Sequence, residues 1–380
     1  MPARFLVLSA SMGRGHDAVA AELSRRLRAA GHHTARADVL DLLPGSLGSG
    51  LRGFYRTAVG RFPAVYAGVY AAFFRPGRGP RPGSAPLAAL AERSLLDMVA
   101  RERPDVVVAT FHLSAQLTGR LRARGALPVP AAVVITDFAA HRQWLHPGND
   151  LQLCLTPAIA ERVEEALGRP AVVSGPLVGE RFLGPAPTAP RWRARLAGTP
   201  GGPVLLSAGA WGVGTRVAHT AWLVSAAGYL PVVLCGDNAR LRREVSREPG
   251  ALALGWVDDM PGLLGACRAL IDNAAGQTAL EALAAGVPVI GYRPIPGHGV
   301  AGVRTMAELG LSDHAWDSWS LIRSLDTLAP PGPVRDRRVA AGQALLGADA
   351  VGALRDLAAP AAGAPPHAPA SGSRSETGHT

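Results

Sequence analysis

The sequence predicts an α/β protein of two Rossmann-like domains, on three observations. Short apolar runs alternate with helical stretches along most of the 380 residues, the pattern of parallel sheets wrapped by helices. Residues 185–202, rich in Pro and Gly and without an apolar period, read as a linker between two such series. At 48% hydrophobic and 18% charged residues, the chain can bury two cores.

Strands are read at residues 5–8, 106–109, 132–135 and 151–155 in a first domain, 1–184, and at 204–206, 232–234 and 287–290 in a second, 203–335. A Gly-rich turn after the first strand leads into a helix from Asp17. Residues 278–285 have the Ala, Leu and Glu content of a helix. Residues 336–358 read as a C-terminal helix packing back on the first domain. The Ala-, Pro-, Ser- and Gly-rich residues 359–380 read as a disordered tail.

All 39 basic residues are Arg, and the net charge is +10. Such a charge suits an anionic lipid surface, nucleic acid or a polyphosphate ligand. With no zinc-finger, helix-turn-helix or aromatic RNA-binding pattern, no nucleic-acid partner is expected. Cys154, Cys235 and Cys267 are far apart, as idle thiols in a reducing cytoplasm would be. The first strand is too short for a signal peptide and no apolar run reaches membrane-spanning length. Any membrane role would be peripheral.

Between residues 51 and 74, apolar and aromatic side chains recur at helical spacing, with a break expected at Pro63. Phe54, Tyr55, Arg52, Arg56 and Arg61 lie in this stretch, Arg75, Arg78 and Arg81 follow, and no acidic residue occurs from 42 to 91. Either the aromatic face packs on the sheet beneath solvated arginines, or the segment lies on an anionic bilayer. The missing acids favour the bilayer.

Four groups of residues carry chemistry. Gly276, Gln277 and Thr278 open the helix at 278–285, where free N–H groups attract phosphate. Glu281, one turn on, offers a carboxylate to a ribose diol, or is an ordinary surface Glu. Ser207, Ala208 and Gly209 follow the second domain's first strand and present backbone N–H groups to a diphosphate. His16, at the end of the first Gly-rich turn, is either a capping residue or a general base with a neutral imidazole. The turn lacks the three-glycine dinucleotide fingerprint, which disfavours a dehydrogenase. Asp137, His141 and His146 fit no familiar metal-ligand spacing. No Asp-x-Asp occurs, so neither a metal nor another cofactor is expected.

Residues 255–310 resemble the diacylglycerol-sugar synthase group of glycosyltransferases, which includes monogalactosyldiacylglycerol synthases and processive diacylglycerol glucosyltransferases and is related to the lipid-linked N-acetylglucosaminyltransferase of peptidoglycan synthesis. The matching residues are Gly255, Val257, Asp258, Asp259 and Met260, then Gly276, Thr278, Glu281, Ala282, Gly286, Pro288, Val289 and Ile290, then Pro294, Pro296 and Gly297. Thr136, Asp137, Phe138, His141, Trp144 and His146 repeat a second motif of the glycolipid branch. The resemblance implies the GT-B fold, two Rossmann-like domains facing a cleft, and an inverting, metal-free transfer from a UDP-sugar to a lipid such as diacylglycerol at the inner face of the cell membrane. It implies the uracil at Val257, the ribose at Glu281, and His16 and Asp137 on the acceptor side, with His141 and Trp144 toward acceptor or membrane. Acceptors of natural-product type, or a non-catalytic nucleotide-sugar or lipid-binding protein, are the alternatives. Two departures stand out. The family's Lys-Pro-Gly-Gly or similar turn is here Asp272, Asn273, Ala274, Ala275 and Gly276, which loses a possible cation and one Gly. Its Pro-Gly-Gln-Glu is Pro296, Gly297, His298 and Gly299, so that either the donor sugar differs, His298 takes over its hydroxyls, or activity is lost.

Overall fold

The computed structural model describes residues 1–74 and 83–359; Arg75, Arg78, Arg81 and residues 360–380 of the expected tail lie outside the described residues. The first half contains β1 (Arg4–Ser9), β2 (His33–Asp38), β3 (Val106–Ala109), β4 (Ala131–Val134), β5 (Leu151–Cys154) and β6 (Ala171–Val173). They form one parallel sheet in the order β2-β1-β3-β4-β5-β6. The second contains β7 (Pro203–Ser207), β8 (Leu230–Leu234), β9 (Leu252–Leu254), β10 (Ala269–Asp272), β11 (Val289–Tyr292) and β12 (Ser312–Ala315). Its parallel order is β12-β11-β10-β7-β8-β9.

The first sheet is accompanied by α1 (Arg14–Ala29), α2 (Leu47–Arg61), α3 (Pro63–Phe73), α4 (Ala85–Leu90), α5 (Glu92–Glu102), α6 (His112–Ala123) and α7 (Pro157–Leu167). After α8 (Ala189–Arg195), the second carries α9 (Val217–Ala226), α10 (Ala239–Val245), α11 (Met260–Leu264), α12 (Gln277–Ala284), α13 (His298–Glu308) and α14 (Ser318–Leu328), before α15 (Pro333–Ala344) and α16 (Ala350–Ala358).

The central strands are continuous apolar runs because helices cover both faces; all four residues of β3 and of β4 are buried. Two of the four edge strands read differently. β2 is HTARAD and β12 is SDHA, so neither shows the apolar run that marks β1 or β3. Pairing with one buried neighbour, not hydrophobicity, holds them in the sheet.

Two expectations need correction. Residues 185–202 are not a free linker: they include α8, which packs on the second domain, Thr188 Oγ1 donating to Asp259 Oδ1 at 3.0 Å and Trp192 Nε1 to Asp259 Oδ2 at 2.9 Å. The helix expected at 336–358 is two helices. The chain breaks after α15, and Asp349 caps α16 by accepting from the Gly352 N–H at 2.8 Å. Ala350 and Leu354 of α16 are buried with Val19, Leu23 and Leu27 of α1, so the C-terminal helix lies on the first domain.

In open parallel sheets, ligands bind beyond the C-terminal strand ends, where the strand order reverses. In the first sheet the reversal lies between β1 and β3, and in the second between β7 and β10. The loops leaving these four strands carry His16, His112, Ser207 and Gly276.

Candidate active site

His16 stands in the first turn of α1, half-buried at the end of β1. Its Nδ1 lies 3.1 Å from the Thr110 carbonyl oxygen. A carbonyl only accepts, so Nδ1 carries the proton and Nε2 keeps its lone pair free. Thr136 Oγ1 is 3.3 Å from the same nitrogen. Burial lowers the His16 pKa below 6.5 against the opposing influence of Asp137 and the Thr110 carbonyl. The imidazole is therefore neutral at pH 7. Phe111 meets it edge-on with ring centroids 4.9 Å apart.

Asp137 is the charge at the centre of this side. Burial by itself would raise its pKa, but the His141 hydrogen bond and the nearby His141, His16 and His298 hold it well below the usual carboxylate range. It accepts from Trp144 Nε1 at 2.9 Å, and His141 Nε2 is 3.4 Å from the same oxygen. Trp144 is 0% exposed and His141 is buried as well, which corrects their expected placement toward a membrane: both contact the Asp137 carboxylate. His146 lies apart from Asp137 and accepts from the Gly148 N–H at 3.0 Å. Sequence reasoning missed His112, whose ring centroid is 5.3 Å from that of His141. Burial, with the neighbouring His141 and His16, keeps it neutral. Its signal was its place, directly after the β3 run at Thr110 and Phe111.

On the facing side, Gly276 caps α12 in extended conformation, and a side chain there would meet no atom within 4 Å. The N–H groups of Gln277 and Thr278 thus open onto free space. Asp272 Oδ2 accepts from the Ala274 and Ala275 N–H groups at 2.9 and 2.6 Å, which shapes the turn. Ala275 takes φ +51, the left-handed conformation suited to the glycine it replaces. Asn273 Nδ2 donates to the Val213 carbonyl at 2.8 Å and ties this turn to the loop holding Ser207, Ala208 and Gly209. In that loop Gly209 has φ +67 and open space at its β-position. Val257 is partly buried against the core beyond β9. Burial raises the Glu281 pKa to about 7, against the opposing effects of Arg181 and Gln277.

The two sides touch. A β-carbon on Gly15 would sit 3.6 Å from Gln277 Cβ, and Gln277 Nε2 donates to the Leu177 carbonyl at 3.2 Å. His298 reaches across to Tyr66 of α3, its Nδ1 2.6 Å from the Tyr66 hydroxyl. Burial depresses the His298 pKa and raises that of Tyr66, so a neutral phenol and a neutral imidazole share this hydrogen bond.

The break at Pro63 separates α2 from α3, and the pair has two faces. Inward, Ala58, Val59 and Tyr66 pack with Val213, and Tyr55 lies edge-on to Trp211 at 5.7 Å. Outward, Phe54, Phe62 and Val65 are 53%, 56% and 50% exposed. Arg61 shares that outer face, whereas Arg52 does not: its Nη2 pairs with Asp38 at 2.9 Å. Arg56 leans toward the Trp211 ring, 6.0 Å from its centroid. Of the expected membrane residues, Arg52 and Tyr55 are thereby corrected to inward contacts. Among the described residues no helix is long and apolar enough to cross a membrane.

The model for monogalactosyldiacylglycerol (MGDG) synthase matches residues 16–169. A processive diacylglycerol beta-glucosyltransferase of Bacillus subtilis is 29% identical over 216 residues, 55% of this chain and 56% of that protein. Its namesake in Bacillus mycoides is 30% identical over 208 residues, 52% of each. The chain thus matches little more than half the length of these relatives. Among solved structures, MurG of Acinetobacter baumannii superposes with a TM-score of 0.57 at 16% identity, covering 94% of this chain and 99% of that one. Anabaena HepE in complex with UDP-glucose gives 0.56 at 13% identity, covering 94% and 98%. These likenesses bear out the resemblance carried by the motifs: the chain is a GT-B protein related to the diacylglycerol-sugar synthases.

Proposed function

We propose that the protein transfers a sugar from a UDP-sugar to a lipid acceptor such as diacylglycerol, with inversion and without a metal, while resting on the cytoplasmic face of the membrane. One observation carries the reading: a neutral imidazole follows directly on Gly15, which abuts Gln277 at the N-terminus of α12, a helix with open space over its Gly276 cap and a carboxylate one turn on. The acceptor hydroxyl attacks the anomeric carbon and the bond to the UDP oxygen breaks. His16 Nε2 takes the hydroxyl proton, and Asp137 stabilises the imidazolium. The α12 N-terminus and the Ser207, Ala208 and Gly209 loop hold the growing charge on the diphosphate, while Glu281 accepts from the ribose hydroxyls. The names of the relatives, diacylglycerol glucosyltransferases, support the acceptor class, and a neighbour with bound UDP-glucose supports the donor class. The outer face of α2 and α3 supports contact with a lipid surface.

UDP release from a panel of UDP-sugars, with and without diacylglycerol vesicles, tests the reading. Release that requires the vesicles is expected, and it persists in EDTA; turnover that vanishes with EDTA and returns with magnesium defeats the metal-free step. A second reading, nucleotide-sugar binding without transfer, draws on Gly299, where no side chain is available to hold the donor sugar. UDP binding with no transfer from any donor would favour it.

A further inference from the structure

The turn from Asp272 to Gly276 carries no cation of its own. Its Asn273 amide is spent on the Val213 carbonyl, and Asp272 beside it is a buried acid. A diphosphate leaving group held only by backbone donors is undercompensated. Across the gap, Arg14 begins α1, next to the Gly15 that abuts Gln277 at the start of α12. The helix dipole disfavours a positive charge at that position, so Arg14 does not serve the helix. Among the described residues no carboxylate pairs with it. Its guanidinium lies instead on Trp256 of the opposite domain, 4.4 Å from the ring centroid. Trp256 is half-exposed and precedes Val257, and its Nε1 donates to Asp258 at 2.9 Å. Of the other arginines of this region, Arg181 lies near Glu281 and Asp259, and Arg293 donates to the Arg216 carbonyl and the Thr220 hydroxyl.

We infer that Arg14 is a donor-binding residue: when a nucleoside diphosphate enters, its guanidinium leaves the Trp256 face and pairs with the diphosphate. This rests on the donor site proposed above. An exposed cation–π contact is weak, and a planar guanidinium gains more from two phosphate oxygens. The acceptor-side domain would then supply the charge that the donor-side turn lacks, so that ordering of the diphosphate requires both domains.

Uridine and UDP are titrated into the wild type and into Arg14→Gln and Arg14→Lys, following Trp fluorescence and calorimetry. The wild type prefers UDP over uridine. Arg14→Gln loses about tenfold or more in UDP affinity with uridine unchanged, and Arg14→Lys recovers part of the loss. Equal losses for uridine and UDP would overturn the inference, leaving Arg14 as a support for Trp256, and so would unchanged UDP affinity. Wild-type protein that binds neither compound overturns the donor site itself. Arg14 is exposed, and matching thermal melts separate these outcomes from misfolding.

Discussion

The two switch points are built on the same plan and finished to different degrees. Around His16 the central groups are held by the protein: the Thr110 carbonyl fixes the tautomer, and Trp144 and His141 hold Asp137, although His112 Nδ1 and His141 Nδ1 are buried without a hydrogen-bond partner. At the start of α12, open space lies over Gly276 and Glu281 is pushed toward neutrality. On the function proposed above, the acceptor side is organised by the protein, whereas the donor side waits for its ligand to be organised. A preorganised base loses nothing to reorientation during reaction, and a site of unsatisfied donors gains its order from a charged substrate.

The sharpest way to break this contrast is His16→Ala. Sugar transfer should fall by about 100-fold or more while UDP affinity stays near wild type, because the residue acts on the acceptor. A folded variant with normal turnover would make His16 a loop residue and move the base to Asp137. Glu281→Ala should do the opposite, weakening UDP by roughly 1.5–3 kcal/mol in calorimetry through lost charge-assisted hydrogen bonds.

Glu281 also gives the donor side a pH signature. Its carboxyl has a pKa of about 7 in the free protein, and the ribose needs the ionised form. UDP affinity should fall as pH drops from 8 to 6, by up to about tenfold per unit below 7. Glu281→Gln should abolish the slope. Stability runs the opposite way: a raised acid favours the folded state below its unfolded value of 4.5, and that contribution is lost as pH rises through 7.

A smaller effect is expected from the outer face of α2 and α3. Phe54→Ser with Phe62→Ser should reduce sedimentation with anionic vesicles by about tenfold, each ring contributing at most roughly 1.5–3 kcal/mol when fully buried. UDP affinity should not change. Arg52 is left intact in this variant because its partner is Asp38. Least of all, Tyr66→Phe removes one hydrogen bond to His298 and should raise the donor KM a few-fold, about 0.5–1.5 kcal/mol. No change in KM would make the contact incidental to donor binding.

Much of this was legible in the sequence, and what was not has physical reasons. β1, β3 and the start of α12 announce themselves because buried parallel strands are apolar runs and a helix needs an entrance. β2 and β12 stayed hidden because their side chains are polar, β6, β9 and β10 because three apolar residues are too short a run to stand out, and α8 because a Pro-rich stretch resembles many loops. The position of His16 is local information, set by its turn. The partners of Trp144, Arg52 and Tyr55 are not: periodicity gives a face of a helix but not what lies opposite it. Trp144 looks like a stacking residue until Asp137 folds back on its indole, and Tyr55 looks like a membrane anchor until the donor loop arrives from more than 150 residues away.

Gly299 shows how packing restricts the mutational paths open to a protein. A β-carbon there would lie 2.5 Å from Ile295 Cγ1 and 2.8 Å from the Asn273 carbonyl oxygen. Trimming Ile295 relieves the first clash and leaves the second, which belongs to main chain. A side chain at this position therefore requires the turn after β10 to shift, and that turn is anchored by the Asp272 carboxylate and by Asn273. One glycine thus couples the side chains open to the start of α13 to the shape of a loop more than twenty residues earlier.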